Sequence, residues 1–95
     1  METRVAIIGI IVEDGGSVEN LNNILHGYRN YIIGRMGLPY REKGISIISI
    51  AVDASQDIIS ALSGKLGRLP GVSTKTLYSK VTGKTENEVS DEAAH

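Results

Sequence analysis

The chain has 95 residues, 41% of them apolar, with 10 basic and 11 acidic side chains and a formal net charge of -1 at pH 7. This length fits one domain and leaves no room for two, and the charge balance lacks the basic excess of an electrostatic DNA-binder. Cysteine is absent, which excludes disulfides, thiolate catalysis and Cys-ligated metal sites and fits a reducing compartment.

The first predicted strand is Arg4 to Val12, rich in β-branched residues. Its apolar run is too short to span a bilayer, and no small-residue cleavage pattern follows it. A cytoplasmic protein away from the membrane is expected. The strand does not alternate apolar with polar, so both of its faces should be covered. A tight loop follows at Glu13-Asp14-Gly15-Gly16, with Ser17 as a plausible N-cap and Glu19 in the first helical turn. Val18, Leu21, Ile24, Leu25 and Tyr28 recur at helical spacing, with Glu19, Asn22 and His26 opposite. This helix should end between Tyr28 and Asn30.

A second strand is expected over Tyr31 to Met36, interrupted by Gly34, and then a connector from Gly37 to Gly44 that holds Pro39. Ile45 to Val52 reads as a third strand. Asp53 or Ser55 can cap a second helix whose stripe is Ile58, Ile59, Leu62, Leu66 and Leu69, with Asp57 near its positive end. Gly64 and Gly67 each cost about 1 kcal/mol there relative to alanine; they permit close packing on the sheet or mark fraying. Pro70-Gly71 ends the helix, and Val72 to Ser79 is the last strand. The segment from Lys80 on carries two basic and four acidic residues and almost no large apolar ones. Residues 81–95 are therefore expected to form a disordered tail beyond a domain spanning 1–80.

The order β-α-β-β-α-β is that of an α+β, ferredoxin-like sandwich of the ACT-like type, a four-stranded antiparallel sheet with both helices on one face. The first and third strands, apolar without interruption, should be its central pair. Helices cover one face only, yet the first strand is apolar on both: Val5, Ile7 and Ile11 against Ala6, Ile8, Ile10 and Val12. The open face calls for a partner, and a homodimer or homotetramer is the simplest one.

No nucleophile–base pair stands out. The only histidines are His26, expected to face solvent, and His95. No enzyme activity, no metal site and no cofactor is expected. Two segments are candidate ligand sites. In the first, Gly15 and Gly16 let a ligand approach the backbone at a helix start, and Asp14 can receive an ammonium or amide group; an ordinary strand-to-helix turn is the competing reading. In the second, Gly34 to Gly44, Arg35 and Arg41 suit a carboxylate or phosphate and Tyr40 suits stacking; a solvated hairpin loop competes. Acylphosphatase chemistry, which this fold can host, needs a phosphate-cradling arginine loop after the first strand, where Glu13 and Asp14 would repel phosphate.

The segments RVAIIGIIVED, YIIGRMGLPYREKGISIISIAVDA and DIISALSGKLGRLPGVSTKT resemble a known family, the iron-only hydrogenase system regulators. The resemblance spans about Arg4 to Lys80. It implies a link to [FeFe]-hydrogenase maturation genes and a fold similar to ACT domains and to the nickel-binding domain of the NikR-type repressor. Relatives of that kind assemble through their sheets and bind effectors near subunit interfaces. This chain lacks the cysteine and histidine cluster of the nickel site, so nickel sensing does not carry over. It also lacks the ribbon-helix-helix segment, so direct DNA binding is not expected. The resemblance implies a homo-oligomeric regulatory domain that binds a small-molecule effector or a hydrogenase-maturation protein. The alternative is a structural adaptor for maturation proteins that binds no ligand.

Overall fold

The computed structural model describes residues 2–82, and for residues 81 and 82 the backbone only. The expected disordered tail falls outside them, apart from its first two residues, which complete the last strand. In chain order the elements are β1 (Arg4–Val12), a 3-10 turn (Gly15–Ser17), α1 (Val18–Gly27), a second 3-10 turn (Arg29–Tyr31), β2 (Ile32–Tyr40), a third (Arg41–Lys43), β3 (Ile45–Ala54), α2 (Gln56–Gly67) and β4 (Val72–Thr82). The strands form one antiparallel sheet in the order β2-β3-β1-β4. This is the ferredoxin-like arrangement, with β1 and β3 at the centre as their unbroken apolar runs predict.

Burial alternates along β1. Ala6, Ile8, Ile10 and Val12 are buried, and they pair with Val52, Ile50, Ile48 and Ser46 of β3. The apolar ones among these side chains pack with Leu21 and Leu25 of α1 and Ile59, Leu62 and Leu66 of α2 into one core on the helix-covered face. Val18, at the start of the α1 stripe, is instead exposed. A polar clasp adds to the packing: Ser63 Oγ on α2 lies 3.2 Å from Thr74 Oγ1 and accepts from Thr76 Oγ1 at 3.3 Å, both on β4. α2 is helical through both glycines, and at Gly67 the Thr74 hydroxyl comes so close that a Cβ would lie 3.3 Å from it. Close packing, not fraying, explains that glycine.

Two expectations about local structure need correction. β2 is longer than predicted, because residues 37–40, read as a connector, pair with β3: Gly37 with Ile48, Leu38 with Ile47, Pro39 with Ser46 and Tyr40 with Ile45. Glycine and proline signal loops by propensity, but on an edge strand the missing N–H of proline can face outward at no cost. Gly34 marks a shift in register, between Ile32 and Gly34, rather than an end. The turn shrinks to Arg41–Lys43, closed by Gly44 at φ 65.

The second correction concerns Ser17. It sits at the N-cap position of α1, but its side chain makes no capping bond. The hydroxyl donates to the Pro70 carbonyl at 2.6 Å, across the fold. A preceding 3-10 turn gives Ser17 helical dihedrals (φ -88, ψ -7) that aim the hydroxyl away from the helix N–H groups. Ser55, not Asp53, caps α2, accepting from Ile58 N at 3.4 Å. Replacing Ser17 by alanine should cost about 1 kcal/mol in urea unfolding, the net value of one hydrogen bond. Helix content by circular dichroism should stay unchanged.

Candidate functional site

The loop after β1 is built by local hydrogen bonding. Asp14 is extended (φ -122, ψ 107), and its Oδ1 accepts from Gly16 N at 2.8 Å. Such Asx bonding is the usual use of aspartate at a turn. Non-local bonds then fix the loop: Glu13 N donates to Gly71 O at 2.7 Å, beside the Ser17–Pro70 bond. Asp14, Gly15 and Gly16 are all exposed.

The hairpin end of β2 lies at the same end of the sheet. Val12 is opposite Ser46, and Ser46 is opposite Pro39. Two strand spacings, about 10 Å, therefore separate the β1 terminus from the Tyr40–Arg41 end. Tyr40 donates its hydroxyl to Glu42 Oε2 at 3.0 Å, which braces the ring across the turn. Arg41 and Glu42 lie in that turn, exposed.

Arg35 does not join them. It is opposite Ile50, on the helix-covered side of β2, whereas Tyr40 is opposite Ile45, on the other side. Five residues of strand, about 17 Å, lie between Arg35 and Tyr40. The two candidate arginines thus do not form one clamp. Arg35 Nη2 instead donates to Asn22 Oδ1 on α1 at 2.9 Å. It lines a cavity of about 330 Å³ together with Asn22, Leu25, His26, Arg29 and Ile32. Asn22, His26 and Arg29 were not foreseen as site residues, although the spacing of four places Asn22 and His26 on one face of α1; Arg29 joins them from the 3-10 turn that follows. His26 is exposed, as expected.

The open side of the sheet is apolar. Ile7, Ile47, Leu38, Met36 and Leu77 occupy it, in register across four strands: Ile7 faces Ala51 and Leu77, Leu38 faces Ile47, and Met36 faces Ser49. Exposure reaches 45% at Ile7, 60% at Leu38, 69% at Met36 and 70% at Leu77. On the opposite, helix-covered side, where Arg4 pairs with Ala54 and Tyr78 with Ala6, the Arg4 guanidinium stands 4.5 Å from the Tyr78 ring centroid and donates to Ser79 O at 3.1 Å. Among the described residues no three His, Asp or Glu side chains gather as a metal site would require. No helix there is long and apolar enough to cross a membrane.

Residues 4–76 match a family model described as "TM1266-like: Iron-only hydrogenase system regulator, putative". The chain belongs to this TM1266-like family. It is similar to the solved structure of the uncharacterized protein TM1266 from Thermotoga maritima, with 37% identity and a TM-score of 0.79, over 82% of this chain and 99% of that one. A formyltetrahydrofolate deformylase from Pseudomonas putida KT2440 shares the fold alone, at 15% identity and a TM-score of 0.55. That likeness covers 76% of this chain but 28% of the deformylase. Comparison with curated proteins finds no match. The family model covers both candidate loops, the cavity residues and most of the open face.

Proposed function

We propose that this chain is a non-enzymatic, ACT-like regulatory module of the iron-only hydrogenase system, cytoplasmic and homo-oligomeric through its open sheet face. The observation that carries the reading is that face: a row of large apolar side chains, in register across four strands, on the side without helices. Soluble monomers seldom leave such a surface uncovered, and contiguous apolar patches mark interaction sites. Closed symmetric pairing of like faces is the commonest way to cover one.

The exposed polar loops at one end of the sheet are the places for signal input. Asp14, Gly15 and Gly16 on β1's exit and Tyr40 and Arg41 on the hairpin end at the rim of the apolar face. A second copy on that face would bring its own loops near them, so that an effector or a maturation protein bound there would bias assembly. The family's description as a regulator of the iron-only hydrogenase system supports both the system and the regulatory role.

Native mass spectrometry of the full chain, purified anaerobically from its own host, tests this. A dimer or tetramer with a reproducible extra mass is the expected result. An oligomer without an adduct would favour the adaptor role instead. A monomer at micromolar concentration would remove the proposal.

A further inference from the structure

We infer that the cavity between α1 and β2 is a binding site for a small tetrahedral oxyanion, a phosphoryl group above all. Its polar lining is Arg29, Arg35, His26 and Asn22, and its apolar lining is Leu25 and Ile32. No acidic side chain is among these residues. The two guanidiniums thus bring two permanent positive charges to one concavity of about 330 Å³, a size typical of small-ligand pockets.

Each arginine is oriented by one hydrogen bond at the exposed surface. Arg35 Nη2 is fixed by Asn22 Oδ1 at 2.9 Å, and Arg29 Nη1 by the His26 carbonyl at 2.8 Å. Neither has an acidic partner among the described residues. Each guanidinium carries five N–H donors, so most remain available after these bonds. Arginine's planar fork matches oxyanions bidentately, and holding it beforehand reduces the entropy lost on binding. Asn22 and His26 add further side-chain donors to the lining.

Charge selects the ligand class. A phosphomonoester carries about -1.5 to -2 near neutral pH and so neutralises both arginines, whereas a monocarboxylate neutralises one. A tetrahedral group also offers three or more acceptor oxygens to donors that arrive from two elements, α1 with its following turn and β2. The apolar floor of Leu25 and Ile32 gives room for the rest of an ester.

This inference deepens the regulatory reading by naming an effector class, and its test does not depend on assembly. Titrations of inorganic phosphate and of glycerol 3-phosphate into 15N-labelled full-length protein, at fixed ionic strength in chloride, would be followed by amide shifts. Saturable shifts at Asn22, His26, Arg29 and Arg35 are expected. Arg29→Gln or Arg35→Gln should weaken binding about tenfold or more, and the double variant should abolish it. Arg68→Gln, on the exposed end of α2, should bind as wild type. Well-dispersed spectra of each variant establish folding. Tighter binding of the ester would identify an organic phosphate as the ligand; equal binding would identify free phosphate. Acetate that binds as tightly as phosphate, shifts that never saturate, or unchanged binding in the double variant would each overturn the assignment. A monomeric variant of the open face should retain the site, so loss of assembly and loss of the anion site can be told apart.

Discussion

Replacing Gly71 by alanine should lower the unfolding free energy by about 3 kcal/mol or more. Gly71 has φ 68, and a Cβ built on it would stand 2.6 Å from Asp14 Cβ and 2.9 Å from Asp14 N. The left-handed backbone alone costs an L-residue about 1–2 kcal/mol. The clash is worse, because its nearest atoms are Cβ and backbone of Asp14 and not the end of a flexible side chain. Relieving it means moving the β1 exit away from the α2–β4 turn. That movement stretches the Glu13 N to Gly71 O bond of 2.7 Å and the Ser17 Oγ to Pro70 O bond of 2.6 Å. Ser17 is only 3% exposed, so its hydroxyl would lose its partner where water cannot easily replace it, at about 1–3 kcal/mol. Gly34→Ala is the control: an added Cβ meets nothing within 4 Å and φ is not positive. Paired urea titrations should show the control within about 0.5 kcal/mol of wild type. A Gly71→Ala loss below about 1 kcal/mol would mean that the two loops are not locked together in solution.

The same pair of loops shows where sequence reasoning stops. The strand order, the central pair and the apolar second face follow from unbroken β-branched runs and from the β-α-β-β-α-β order, which leaves few topologies. Asp14 and its glycines are legible as a turn because their bonding is local. Ser17 is not, since its partner Pro70 lies 53 residues away and no propensity encodes that distance. The extent of β2 was hidden for a related reason. Gly37 and Pro39 weaken a strand intrinsically, and only pairing with β3 overrides them. That misreading carried into the candidate site. With residues 37–44 as a connector, Arg35, Tyr40 and Arg41 fall in one candidate ligand segment, Gly34 to Gly44. Once residues 32–40 are a strand, the period of two puts Arg35 and Tyr40 on opposite faces. Arg35 then meets the polar side of α1, which the helical spacing of Asn22 and His26 already outlined.

A charge at the middle of the open face should dissociate the proposed assembly while sparing the subunit. Ile7 is the position of choice. It lies on central strand β1, between Ala51 of β3 and Leu77 of β4. In the single chain its side chain is 45% exposed, so Ile7→Lys removes little core packing, and lysine can extend its stem along the surface. Monomer stability should change by about 1 kcal/mol or less. In a face-to-face pair the effect is larger. An isologous interface carries each substitution twice, and each copy forfeits the burial of the exposed 45% of one isoleucine, about 0.7–1.4 kcal/mol. The sum of about 1.4–2.8 kcal/mol corresponds to a dissociation constant roughly 10-fold to 100-fold weaker, before any cost of enclosing two ammonium groups. Sedimentation velocity at micromolar protein should therefore find wild type assembled and Ile7→Lys monomeric, with circular dichroism unchanged. Lys75→Ala, on the same face but charged already, should leave assembly intact or tighten it. If Ile7→Lys stays assembled, copies of this chain meet through a β-strand edge or a helix, and the apolar face must be covered by another protein.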